Sequence, residues 1–468
     1  MSQQWPDVSV DAEKAVFFSP SSSYDSAKKF DSVTREDGEA GATDETSPAG
    51  VLGRVLSRAS SRTSHPSPPP DGGWRAWKTR PASLSSDSRT RGVINSFGTF
   101  QTYYTNALHR APSDISWIGS FQIFLLFFIG TFTGRLTDAG YFRLVVTVGI
   151  ALLALGAFTT AQGTQYWHFF LSQGVATGLG NGCIFCPCLA VLSTYFSSKR
   201  GLAIGLAACG SATGGLVYPS IVRQLLPRLG FPWTMRVIGF IQFATMVAAS
   251  LGIVPRLPPR RDDKIVEWAA FRELQYTFYA AGTFCCLWGV YVVYFYVASF
   301  SRDVIGLSYT ASLGLLLVVN GVGIIGRVLP NYIADRYGVL NLFLIVGALC
   351  GIIALCWTAV DSQGGLYAWA AVYGIFAGGV QSLFPAGLTS LTTDLSKSGV
   401  RMGMVFTINS FATLTGSPIA GAIISSKGGS YTGAQVFTGV TLLVGTCFIF
   451  AAKMVLSRQH ESGWMAKV

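Results

Sequence analysis

Two short segments carry charge at the ends of long apolar runs. They are Gly134-Arg-Leu-Thr-Asp-Ala-Gly140 and Asn331-Tyr-Ile-Ala-Asp-Arg-Tyr-Gly338. A carboxylate at the end of one helix can accept from the free N–H groups opening a neighbouring helix and can pair with its basic residues. Such a contact holds two helices together in one state and releases them in another. Asp138 and Asp335 are therefore candidate gate residues, with Arg135 and Arg336 beside them and Arg200 and Arg401 each opening a following apolar run. Side chains suited to enzymatic chemistry are scarce. There is no Gly-x4-Gly-Lys-Ser/Thr phosphate loop, no paired carboxylates face a common site, and the four histidines are scattered. Cys183, Cys186 and Cys188 have metal-like spacing, but their stretch is apolar and lacks a histidine or carboxylate partner. The nine cysteines all lie in apolar stretches, where a free thiol behaves as a small hydrophobe. No catalytic residue, metal site or cofactor is expected.

The elements positioning the charged segments must live in lipid. Half of the 468 residues are hydrophobic and only 12% are charged, against about 25% in an average soluble protein. The net charge of +11 is not spread evenly: the first 91 residues carry 12 basic and 12 acidic side chains, the remainder 22 and 11. The excess lies in the apolar region, where the positive-inside rule explains it better than nucleic-acid binding does. A crossing needs about 20 mostly apolar residues, and near-continuous apolar runs exclude a barrel, whose strands alternate. The runs predict helices over 115–135, 144–162, 167–194, 201–222, 234–254, 274–299, 308–331, 339–360, 366–390, 401–424 and 433–456.

A twelfth, first helix is expected around Gly92–Tyr104, but its upstream half, residues 78–91, is polar and charged. A central Lys, Arg or Asp costs about 2.5–3.5 kcal/mol in a spanning helix, so that half belongs outside the bilayer or is wrongly encoded. Met1–Val10 is polar and mixed, so targeting is expected from the first span. With twelve helices, Arg135, Arg143, Lys199, Arg200, Arg256, Arg260, Arg261, Lys264, Arg272, Arg336, Lys397 and Arg401 fall on the side of the N-terminal tail. Arg110, Arg223, Arg228, Arg236, Arg302 and Lys427 fall opposite, which puts both termini in the cytoplasm.

The expected organisation is an all-α membrane protein of two six-helix bundles. Residues 1–70, rich in Ser, Pro, Gly and charge, form a disordered cytoplasmic tail. Residues 71–254 form the first bundle, 255–272 a cytoplasmic linker, 273–456 the second bundle and 457–468 a cytoplasmic tail. The halves repeat each other's punctuation. Besides the two aspartate segments, Gly178-Leu-Gly-Asn-Gly with Pro187 matches Gly378-Gly-Val-Gln-Ser with Pro385. Arg200 leads to Gly214, Gly215 and Pro219 as Arg401 leads to Gly416 and Pro418. A duplicated half of this kind is a mark of secondary transporters. Gly201, Gly205, Gly210, Gly214 and Gly215 allow close backbone approach, either for sliding or for static packing.

Asp71-Gly-Gly-Trp-Arg-Ala-Trp77 resembles the signature that precedes the first helix of the monocarboxylate porter family, within the major facilitator superfamily. Ser113-Asp-Ile-Ser-Trp-Ile-Gly119 and the glycine-rich run from Tyr195 to Gly215 are similar to its fungal branch. The resemblance implies a major facilitator fold, alternating access and movement of small carboxylates, often coupled to protons. Fungal members that look like this chain include riboflavin carriers and pumps encoded beside secondary-metabolite pathways. The intramembrane arginine of the family maps onto Arg327, eight residues before Asp335 and so about 12 Å along the helix. Its planar fork suits a carboxylate. The acid expected one turn earlier is Gly323, and the nearest polar group on that face is Asn320, which puts Asp–Arg proton coupling in doubt. Family members also follow Trp-Arg-Ala-Trp with an apolar run of similar length. Inverted chemistry over 78–91 therefore points to a local reading-frame slip, which the transcript across codons 77–95 would settle.

The expected solute site lies at the midplane between the halves. Its candidate lining is Asn95, Gln101, Asn181, Tyr291, Tyr294, Asn320, Arg327, Gln381, Phe384 and Asn409, each uncharged one also readable as interhelical glue. The expected activity is export of an organic acid or fungal secondary metabolite across the plasma membrane. The partners are a small-molecule substrate, possible protons and the bilayer. Uptake of a monocarboxylate or riboflavin-like solute is the alternative, and a non-transporting solute sensor is the alternative of another class.

Overall fold

The computed structural model of the chain describes Thr90 and residues 92–196, 200–253, 267–391 and 398–459. The expectations for the tail 1–70, for the rest of 78–91, for most of the linker, for Lys397 and for the last nine residues lie outside the described residues. So do those for the side chains of Asp138 and Arg200.

Helices account for the described fold, with no strand among the described residues. They are α1 (Phe97–Leu108), α2 (Pro112–Leu136), α3 (Phe142–Thr160), α4 (Tyr166–Leu192), α5 (Arg200–Gly252), α6 (Leu274–Asp303), α7 (Tyr309–Tyr337), α8 (Val339–Cys356), α9 (Gln363–Ser390), α10 (Ser398–Ser426) and α11 (Thr432–Gln459). Nine stretches of the described residues are long and apolar enough to cross a membrane, and one of them, Gly201–Gly252, has 52 residues, enough for two crossings. It folds back at Gly230, whose φ of 72° and ψ of 174° suit glycine alone, between Pro227 and Pro232. The two legs coincide with the spans expected over 201–222 and 234–254. α1 continues a helical stretch over 92–95 through a turn at Ser96, whose N–H donates to Gly92 O at 3.1 Å.

Helix starts follow local chemistry. Ser308 Oγ accepts from Ala311 N at 3.3 Å to open α7, and Ser362 Oγ accepts from Gly365 N at 3.3 Å to open α9. The repeated aspartate segments end alike: Gly140 after α2 has φ 94° and Gly338 after α7 has φ 93°. Both turns need the left-handed region, which accounts for the glycine in each copy of the repeat.

Burial separates inner helices from lipid-facing ones. The apolar window of α6 is 83% buried while that of α8 is 39% buried. A helix that is apolar all round belongs inside its neighbours, and every residue from Val290 to Ala298 is buried. α6 packs on α10 and α11, and α4 on α2 and α3. Across the halves, α2 lies on α10, α5 on α7 and α1 on α6.

The turn at Gly230 makes a stability prediction. Gly230→Ala should cost about 1–3 kcal/mol through its forbidden backbone region and lower the melting temperature of the purified protein. Gly364→Ala, in the first turn of α9 with open space around it, should leave melting unchanged in the same fluorimetric scan.

Candidate functional site

The α5–α7 seam is built from one face of each helix. Asp335, near the end of α7, accepts from Gly201 N at 3.2 Å and from Leu202 N at 3.1 Å, two of the free N–H groups at the start of α5. One turn further along α5, Gly205 lies so close to Asn331 and the Arg327 carbonyl that a Cβ there would collide with both. Cys209 Sγ approaches the Ile324 carbonyl at 3.9 Å, and a Cβ at Gly215 would strike the Asn320 amide. Asn320, Ile324, Arg327, Asn331 and Asp335 thus run down one face of α7 against the small residues of α5. Asn331 also donates to Arg327 O and Ser382 Oγ, both at 2.8 Å.

The α2–α10 seam is the counterpart. Thr131 donates to the Gly403 carbonyl at 2.8 Å and lies 2.8 Å from the Thr407 hydroxyl. Phe127 and Phe185 from one half meet Phe384 and Phe406 from the other: Phe127–Phe406 centroids are 5.5 Å apart and Phe384–Phe406 5.2 Å. These four rings are buried and close the path on the Asp335 side of Arg327. Toward the other end, Phe97 of α1 packs on Phe295 of α6 at 4.9 Å, and Gly98 admits the Tyr294 carbonyl where any side chain would clash. Nearby, Tyr296 donates to Ser417 O at 3.1 Å. Contacts between the halves therefore lie on either side of Arg327.

That centre is Arg327, fully buried. Its Nη1 donates to Gly323 O and its Nη2 to Gln381 Oε1, both at 3.0 Å, while Nε has no partner. Among the described residues no carboxylate meets it. The Tyr294 hydroxyl lies against Arg327 and Gln381 without a hydrogen bond of ordinary geometry. Other amides are buried elsewhere in the helices. Asn95 and Asn181 have neither polar atom paired, Gln101 lies against the Tyr296 hydroxyl, and Asn320 leaves Oδ1 unpaired. A buried polar group without a partner is costly.

The structure sorts the other expected residues. Tyr291 is buried 6.3 Å from Tyr294, ring to ring, and Phe384 belongs to the aromatic closure. Asn409 instead exchanges hydrogen bonds with Thr283 at 3.2 and 3.3 Å, tying α10 to α6. Arg336 folds over the Tyr332 ring of its own helix and bonds its hydroxyl at 2.8 Å. Arg401 is held by Glu273 at 2.9 Å and by Glu267 at 3.2 Å, and it lies over the Tyr276 ring. Arg135 is half-buried at the end of α2.

Sequence reasoning missed Asn331, Thr131, Gln122, Gln173 and the two glutamates that hold Arg401. Asn331 was findable, since it stands four residues after Arg327 and four before Asp335. Gln122 and Gln173 are buried with unpaired amide nitrogens, and Gln173 accepts from Tyr104 at 2.6 Å. At the far end, outside the spans, Tyr431 donates to Asp303 at 2.6 Å; burial first, then the carboxylate, pushes its hydroxyl pKa up and keeps it a donor.

Two helical halves, seams of close backbone contact and a buried intramembrane arginine between them are the anatomy of a membrane solute carrier. The family comparison agrees with that anatomy, because the model of the Major Facilitator Superfamily matches residues 91–392, and the chain belongs to that family. It is a transporter rather than an enzyme. It is 52% identical over 390 residues to an MFS-type transporter of Gibberella zeae, covering 83% of this chain and 88% of the relative. It is 33% identical to an aspyridones efflux protein of Emericella nidulans, over 83% of this chain and 80% of the relative. An agnestins efflux protein of Paecilomyces divaricatus is 34% identical, over 78% and 84%.

The Asp335 contact predicts a labelling change. With the exposed Cys356 and Cys447 replaced by serine, Asp335→Asn should raise N-ethylmaleimide labelling of the seam residue Cys209 several-fold, read by mass spectrometry, because local opening of the seam becomes easier.

Proposed function

We propose that the chain exports an acidic fungal secondary metabolite across the plasma membrane by alternating access. It stands closest in mechanism to the fungal branch of the monocarboxylate porters. The observation that carries the cargo class is Arg327, a fully buried guanidinium held by neutral acceptors only. An intramembrane cation is costly and marks a substrate pathway by default. Efflux is supported by the likeness to the Emericella and Paecilomyces efflux proteins, and a fungal setting by the Gibberella relative.

In this reading the cargo enters from the cytoplasm, reaches Arg327 between the buried amides, and leaves when the α1–α6 side opens. Asp335 on the first turn of α5 is the cytoplasmic latch, and Asp138 with Arg200 and Arg401 marks the corresponding place on α10. Asn95, Gln101, Asn181, Asn320 and Tyr294 orient the cargo's polar groups. Tyr291 and Phe384 supply apolar contact. Arg135 and Arg336, with the other basic residues of that side, hold both termini in the cytoplasm.

Gene deletion in the host tests this directly. Mass spectrometry of culture medium and mycelium should show one acidic metabolite lost from the medium and retained inside. Unchanged profiles in both would reject export, and binding without flux in proteoliposomes would leave a sensor. Restoring the gene as Arg327→Gln should leave secretion about ten-fold or more below wild type, the loss expected for a charge-assisted hydrogen bond. Undiminished secretion would show that Arg327 does not hold the cargo.

A further inference from the structure

Arg327 is anchored without being neutralised. Its two paired nitrogens donate to a backbone carbonyl and to the Gln381 side chain, and its Nε is unpaired. Gln381 is itself buried, and its Nε2 has no partner. The Tyr294 hydroxyl lies against both side chains, so polar groups from α6, α7 and α9 meet in one buried place. No ionisable neighbour in the spans offers compensation. Every carboxylate and histidine among the described residues stands in a loop, at a turn between helices or in the first or last turn of a helix.

Glutamine and glutamate have the same shape. A carboxylate at position 381 would meet Arg327 at the distance the amide oxygen now holds, 3.0 Å, as a charge-assisted pair. The carrier would then contain its own counter-ion, one a proton could switch. The amide gives the same anchoring and withholds the charge.

We propose that Gln381 is a specificity-determining residue: it positions Arg327 through a neutral carbonyl and leaves the charge to be balanced by an anionic cargo, so that no proton is bound at this site. The inference rests on reading Arg327 as the cargo site. The complementary group is a two-oxygen acid, a carboxylate or acidic enol, accepting from Arg327 Nε and Gln381 Nε2. Because the anion rather than a proton answers the guanidinium, a permanent organic anion satisfies the site as well as a protonatable one.

The test is a thermal-melting cycle on the full chain in detergent micelles, without cargo. Gln381→Glu should raise the melting temperature by about 3 °C or more at about pH 8, by supplying the missing counter-charge. The gain should hold down to about pH 5 and fade only below about pH 4, as protonation of the new carboxyl removes the pair. In an Arg327→Gln background the same substitution should lower melting, since the carboxylate is then buried alone. A purely structural Gln381 predicts no such reversal, and the same sign in both backgrounds overturns the proposal. As an anionic probe, 2-naphthalenesulfonate should raise the melting temperature of wild type and not of Gln381→Glu. Equal shifts in the two, or none in wild type, also overturn it. The melting cycle needs no cargo, so it stands or falls separately from the secretion experiment that decides the carrier reading.

Discussion

One carboxylate shared between two helices sets the geometry of the whole centre. Asp335 belongs to α7, yet its two oxygens satisfy backbone N–H groups at the start of α5. In lipid those groups have no water to turn to, so the contact replaces solvation as well as joining the halves. Once it is made, the helical repeat places everything along α7: Asn331 one turn on, Arg327 two turns on and Asn320 about four. Each meets a small residue of α5 because the glycines recur at nearly the same interval. The polar centre is therefore held at a defined depth by an interaction some distance from it.

The aromatic and polar layers then divide the work. Phe127, Phe185, Phe384 and Phe406 come in pairs from the two halves, so the rings themselves can part without losing a hydrogen bond, while the neighbouring Thr131 bond to Gly403 must break. The buried amides are different: several are short of hydrogen-bond partners. Rings make a closure that is easily undone, while unpaired amides and a guanidinium make a place that favours an occupant bringing its own acceptors and donors.

Much of this was legible in the sequence, because lipid imposes a simple grammar. Eleven apolar runs became eleven helical legs, including the two that fold into α5, since a spanning run must satisfy its backbone internally. The repeat exposed Asp335 and its glycine turn, and it aligns Asn181 with Gln381 at the same step of α4 and α9. Pairing choices made by side chains were not legible. Nothing in the spacing of Asn409 reveals its bond to Thr283, and nothing near Arg401 in the sequence reveals Glu267 and Glu273 beside it. Those glutamates precede α6, far away in sequence, and only the packing of α6 against α10 brings them to the arginine. The same limit hid Gln381 as a partner of Arg327, because the α7–α9 contact is tertiary.

The Arg401 cluster has a mechanical corollary. α10 forms one of the two seams between halves, and its leading end is lashed to the short 3₁₀ segment Trp268–Arg272 and its flanks through Glu267 and Glu273. Tyr276 adds a bond to the Arg401 carbonyl at 2.8 Å. When α10 tilts, it must either haul the stretch of chain leading into α6 along with it or snap those ionic tethers. The covalent joint between the two bundles thus behaves at this end as a bridle rather than a slack rope, transmitting tension from a moving helix to the hinge that unites them.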